Sequence, residues 1–525
     1  MTEPAEPARS GVRGSVAVAA GIFASRIFGL VRQRAFAHYM GAGEVADAFN
    51  QAMRIPNLLQ NLFGEGALSA SFIPVYARLN VAGDDEGRQR VAGAVLGILA
   101  LGVATMSLLG VLAASVLVDV IAPGFEGSKR DLTVQVVRVL FPGAGLLVVS
   151  AWCLGVLNSH GRFLLSYASP VIWNLAMIAT LLVWGERETL PRLAVLLAWG
   201  SVAGSLLQVL VQWPVVHRVL GAWYLSLGRG LADVRTVLRN FTPAFIGRGV
   251  TQISAFVDAW VASYLIDGSA TMLANAQVVY MLPVSLFGMS IAAAQLPAMS
   301  GEAGGSEAHQ RLRGRLTSGL TRVAFFVVPS AIAFVAIGDV VGGVIFRTGR
   351  FGGAETRWLW GTLAASSMGL VAATMARLYA TALFALQDTR TPQRCAIVRV
   401  MVGGALGVTG AFWVGRVLGL DLRWNVVLLA LGSGLAAWVE FALLRRAVFT
   451  RIGHAGVRQG TWWRIGLAGG LAAVAALGLR LALGSESMPR MLAVLVAFGL
   501  TYFTLTLVLG VPEAKGVLAM VRRRR

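Results

Sequence analysis

The chain has 525 residues, 56% of them hydrophobic and only 13% charged, with a formal net charge of +20. A mean hydropathy of +0.70 excludes a water-soluble globular protein of this length, and long apolar runs exclude a β-barrel, whose strands would alternate with period two. No basic patch is interleaved with aromatic residues on a soluble segment, so no nucleic-acid partner is expected and the positive charge reads instead as membrane topology.

A bilayer core about 30 Å thick takes roughly 20 apolar residues per helix. On that measure the fold class is an all-α integral membrane protein with about 14 transmembrane helices. They fall near 15–40, 46–80, 92–122, 133–157, 163–184, 191–217, 237–266, 271–299, 317–346, 356–386, 394–418, 424–444, 462–483 and 488–511. Residues 1–14 are expected to form a cytoplasmic tail before an uncleaved first span. Arg78, Arg88, Arg90, Arg235, Arg239, Arg311, Arg313, Arg315, Arg445, Arg446, Arg451 and the terminal RRRR then all fall in inward loops, so both termini are expected in the cytoplasm.

Three spans carry polar side chains. In the first, ASRIFGLVRQRAFAHYMGAG (24–43) holds Arg26, Arg32 and Arg34 with no acid among them. Three arginines facing lipid would cost roughly 8–10 kcal/mol at about 2.5–3.5 each. Ser25 and Arg32 lie seven positions apart on one face, with Arg26 and Gln33 beside them and Gly29 between. Such a stripe faces a water-filled cavity or an anionic ligand, unless the span ends early and the arginines lie at the interface. In the second, Asp47, Asn50, Arg54, Asn57, Asn61, Glu65 and Ser69 follow at intervals of three or four, tracing one face for roughly 33 Å. That pattern is a cavity lining or the solvated face of an amphipathic helix, and Pro56 is expected to bend it. In the seventh, Thr251, Ser254 and Asp258 share a face, with Arg248 ten residues before the acid. Asp258 is a coupling-ion candidate for a cation or proton, or else a neutral carboxyl held by hydroxyls.

Other chemistry is sparse. Cys153 and Cys395 sit in apolar segments and the five histidines show no ligand spacing, so no metal or cofactor is expected. The outward acids Asp119, Glu126, Asp131, Glu186, Glu188, Asp267, Glu355 and Glu486 are dispersed on short loops. A membrane glycosyltransferase or polymerase would need a paired carboxylate motif there, so an enzyme is the weaker reading. NLFGEGALSASFIP (61–74) and SLFGMSIAAAQLP (285–297) share L-F-G followed by small residues and a proline. That faint repeat suggests two six-helix lobes, 15–220 and 235–450, around a central cavity, then two extra helices within 460–511 and a basic tail at 512–525.

The run SRIFGLVRQRAFAHYMGAGEVADAF…RIPNLLQNLFGEGALSASFIPVYARL, with LNSHGRF (157–163), SPVIWNL (169–175) and ALQDTRTP (385–392), resembles the MurJ (MviN) lipid II flippases of bacterial cell-wall synthesis. They belong to the multidrug/oligosaccharidyl-lipid/polysaccharide exporter superfamily. The resemblance implies a plasma-membrane flippase that carries undecaprenyl-pyrophosphate disaccharide-pentapeptide from the cytoplasmic to the outer leaflet. It also implies membrane lipids and cell-wall synthesis proteins as partners, and a lipid-tail groove beside the last two helices. By the same resemblance Arg26 and Arg32 match cavity arginines, and Asp47, Glu65 and Pro56–Asn57 fall on motif positions. Gln33, Gln60, Asn61 and Val278 depart from the family pattern, where an acid or basic residues are usual. Arg34, Arg54 and Arg248 are then expected to supply the missing charge. The alternatives are a flippase for another lipid-linked oligosaccharide and a non-transporting relative.

Overall fold

The computed structural model describes residues 7–221, 225–228, 230–292, 305–484 and 487–522, with side chains at all of these except 7–20, 64–66, 244, 246–255, 305–308 and 520–522. Among the described residues no β-strand forms, as a chain that must satisfy its backbone in lipid requires. Among the described residues eleven helices are long and apolar enough to cross a membrane, from Asp85–Leu112 to Met488–Val508. The three other expected spans are helical too, as Pro7–Met40, the run from Glu44–Ala52 to Ser69–Ala82, and Ala232–Ser263. They are the segments that carry the polar residues singled out above.

The chain divides into two compact units, Met1–Phe256 with Thr348–Arg350, and Val257–Arg347 with Phe351–Arg525. In the first, Gly127–Ser159 packs against both Asp85–Leu112 and Leu190–Leu220. Two apolar clusters fill this unit, one around Phe36, Phe49, Phe141 and Leu181, the other around Phe72, Tyr76, Trp152 and Leu157. The hydrophobic effect does not hold helices together in lipid, so close packing and buried hydrogen bonds must. A buried chain does so here: Gln208 Nε2 donates to Ser150 Oγ (2.8 Å), Ser150 Oγ to Gln212 Oε1 (2.8 Å), and Gln212 Nε2 to Ser169 Oγ (2.6 Å). It links three helical segments that no sequence pattern brought together.

In the second unit Trp424–Ile452 packs on Arg390–Thr409, Leu370–Ala385 and Gly353–Ser367. A Cβ on Gly432 would lie 2.5 Å from the Gly407 nitrogen, and one on Gly369 would lie 2.4 Å from the Gly434 carbonyl oxygen. The backbones therefore touch, which only small residues allow. The last pair, Thr461–Leu483 and Met488–Val508, packs on itself and on Gly305–Phe346. Tyr502 Oη donates to the Phe325 carbonyl at 2.6 Å, and Arg480 forks onto the buried Asp339 at 3.0 and 2.6 Å.

Both L-F-G runs fall in π-helices, Gln60–Leu68 in the first unit and Val284–Met289 in the second. The faint sequence repeat thus carries the same local backbone in each unit. Wide i→i+5 turns of this kind are rare and frequent at functional sites.

Candidate functional site

One face of Pro7–Met40 packs on the Phe163–Ala168 and Pro170–Trp184 helices. Contact is close at Gly21, where a Cβ would lie 2.7 Å from Tyr167 Cβ. At Gly29 a Cβ would meet nothing within 4 Å, so the stripe between Arg26 and Arg32 opens outward. Arg26 is exposed and Ser25 and Arg32 are half-buried. The Arg32 guanidinium lies 4.7 Å from the Trp173 ring centroid, and its Nη1 lies 3.6 Å from Met177 Sδ. The aromatic face holds the cation in place without neutralising it. Among the described residues no carboxylate pairs with Arg26 or Arg32, whereas Arg78, Arg88, Arg90, Arg130, Arg192, Arg399, Arg451 and Arg480 all have one. Arg34 is half-buried and, two positions beyond Arg32, points to the other side of the helix.

The second segment departs from a single stripe. The helix Glu44–Ala52 ends at Met53 and restarts as Arg54–Leu59. Pro56 has no N–H to offer Ala52, so the interruption falls ahead of the proline. Before it, the stripe turns inward: Asp47 is 1% exposed and pairs with Lys129 at 3.1 Å, whose ammonium lies 4.1 Å from the Phe125 ring centroid. Asp47, expected to face a cargo, is instead part of the first unit's interior. Asn50, still ahead of the break, is half-buried, and beyond the break Arg54 and Ser69 are half-buried and Asn57 and Asn61 exposed. The side chains of Glu65 and Arg248, and those of Thr251 and Ser254, lie outside the described residues.

In the second unit Asp258 is half-buried and accepts a 2.8 Å hydrogen bond from Ser433 Oγ. Ser433 was not foreseen, because its approach depends on the packing of Trp424–Ile452. Trp173 and Met177 were also missed as site residues, although Trp173 lies in the SPVIWNL motif. Cys153 and Cys395 are both free and buried.

Outside the membrane-spanning segments, His160 Nε2 faces Tyr76 Oη at 3.0 Å and Arg88 Nη1 at 3.3 Å. Burial, then the Arg88 and Arg162 guanidinium groups, push the His160 pKa below its ordinary value. Asp388 is held well below the usual carboxylate range by hydrogen bonds from Thr391 and by Arg451.

A family model described as lipid II flippase MurJ matches residues 36–503. The chain belongs to the MurJ family. Its MurJ relatives include the lipid II flippase of Burkholderia cenocepacia, 30% identical over 78% of this chain and 81% of that protein. The probable lipid II flippase of Vibrio cholerae is 29% identical over 87% of each chain. A solved MurJ structure in an inward closed conformation is similar in fold, with a TM-score of 0.77 at 20% identity, covering 94% of this chain and 98% of that one. The MurJ match spans both units.

Proposed function

We propose that this chain is a multi-pass transporter of the bacterial inner membrane, not an enzyme, and that it translocates lipid II from the cytoplasmic to the outer leaflet by alternating access. The observation that carries the reading is the acid-free pair Arg26 and Arg32 on the open face of an otherwise apolar helix. A pyrophosphate brings about two negative charges, and guanidinium forks bind phosphate oxygens more strongly where water is scarce. Among the described residues the two arginines have no carboxylate partner, because the cargo is their partner. Ser25, Asn57, Asn61 and Ser69 are assigned to the polar headgroup, with Arg54, Glu65 and Arg248 as further contacts. Asp47 acts at a distance, by fixing the second segment through Lys129.

The eleven apolar helices, with the three polar-bearing ones, make fourteen spans. An even number and the inward arginines put both termini in the cytoplasm. Asp258, with Ser433, is assigned to a coupling cation or proton. Surplus positive charge would couple to the membrane potential at about 2.3 kcal/mol per charge per 100 mV.

The test is lipid II exposure on the outer face of cells depleted of their own flippase and relying on this chain, at matched expression. Wild type is expected to restore exposure, and Arg26→Ala and Arg32→Ala to abolish it. No exposure with wild type would reject lipid II as cargo and favour another lipid-linked oligosaccharide.

A further inference from the structure

Arg32 sits on a ring that is itself held from a third helix. Its guanidinium lies 4.7 Å from the centroid of Trp173, and Trp173 Nε1 donates to Ser201 Oγ at 3.1 Å. Arg32 belongs to Pro7–Met40, Trp173 to Pro170–Trp184 and Ser201 to Leu190–Leu220, and all three residues lie in the first unit. Trp173 is half-buried and Ser201 buried, so the acceptor end of this hydrogen bond is shielded from water.

The approach of Ser201 is built into the seam between the two outer helices. Gly204, one turn on, faces the same ring: a Cβ there would lie 3.1 Å from both Cα and Cδ1 of Trp173, and 3.0 Å from Ala176 Cβ. A Cβ on Gly200 would run into Thr180 Oγ1. Glycines on either side of Ser201 thus bring the helices close enough for a short serine side chain to reach the indole nitrogen.

What this bond supplies is orientation. A cation is attracted to the face of an indole and not to its edge. The outer torsion of a tryptophan side chain has only broad, roughly two-fold preferences, so the ring plane is weakly chosen unless something else fixes it. A hydrogen bond through Nε1 selects one orientation. A carboxylate would hold Arg32 more firmly, but it would cancel the charge that a phosphate needs.

We propose that Ser201 is a positioning residue for pyrophosphate binding: through the Trp173 indole it keeps Arg32 in place with its charge intact. The proposal rests on Arg32 being a phosphate ligand.

The test is equilibrium binding of undecaprenyl pyrophosphate to the purified full-length chain, with a melting curve for each variant. Ser201→Ala is expected to weaken binding about threefold to tenfold, the worth of one hydrogen bond. Trp173→Phe keeps a ring but has no N–H, and should weaken binding at least as much. Ser201→Ala added to Trp173→Phe or to Arg32→Ala should change nothing further, because the bond or the cation it serves is already gone. Equal losses from Ser201→Ala in all three backgrounds would make Ser201 a packing residue and overturn the proposal. Should Ser201→Ala fail to fold, Trp173→Phe decides, and wild-type affinity in that variant overturns the proposal. A loss in Arg32→Ala with none in Ser201→Ala overturns the positioning role and leaves Arg32 as a phosphate ligand. Affinity unchanged in Arg32→Ala would instead reject Arg32 as that ligand, and this proposal with it.

Discussion

Replacing Arg480 by methionine should loosen the last two helices from the rest of the second unit. Arg480 reaches from Thr461–Leu483 to Asp339 on Gly305–Phe346. Asp339 is 8% exposed, and methionine keeps an unbranched apolar stem while removing the guanidinium and its charge. Breaking a buried pair from one side costs about 3–5 kcal/mol, because the remaining charge is left without compensation. The Arg480 side chain is 27% exposed, so water softens the loss and about 3 kcal/mol is expected. Adding Asp339→Leu removes the stranded carboxylate and should bring stability back to within about 1 kcal/mol of wild type. Equilibrium unfolding in micelles of the two single variants and the double variant gives the coupling energy directly. A loss below about 1 kcal/mol in Arg480→Met, or no recovery in the double variant, would refute the claim that this fork anchors the pair.

Four further outcomes follow from the same physics. Arg26→Ala should abolish lipid II exposure while leaving the melting temperature unchanged or raised, since it removes a cation with no carboxylate partner among the described residues; a lowered melting temperature would make Arg26 structural. Because the folded pKa of His160 lies below its unfolded value near 6.5, the unfolded chain binds the extra proton, and stability present above that pH is lost as pH falls through it. Melting temperatures from pH 8 to pH 5 should therefore drop more in wild type than in His160→Gln. Gly432→Ala drives a methyl against the Gly407 backbone and should cost about 1–3 kcal/mol, whereas Gly29→Ala, with open space around it, should be neutral or stabilising in unfolding assays. Asp258→Asn should remove any dependence of the flipping rate on sodium or pH, and a dependence that survives would place coupling elsewhere.

Sequence by itself determined the membrane class, most helix positions and the arginine stripe. Each is a local property: apolar run length sets a span, and a period near 3.6 sets a face. The L-F-G repeat was legible for the same reason, although that both copies wind as π-helices was not. Partners were decided only by tertiary structure. Asp47 and Asn61 belong to one periodic stripe, yet Asp47 meets Lys129, 82 positions away in the chain, while Asn61 is exposed. Trp173 reaches Arg32, and Ser433 reaches Asp258, across still unrelated stretches of sequence. Helical periodicity fixes which way a side chain points relative to its own axis. What stands opposite depends on how helices cross, and in lipid that is set by backbone contact at small residues such as Gly407 and Gly432, whose pairing no single segment encodes.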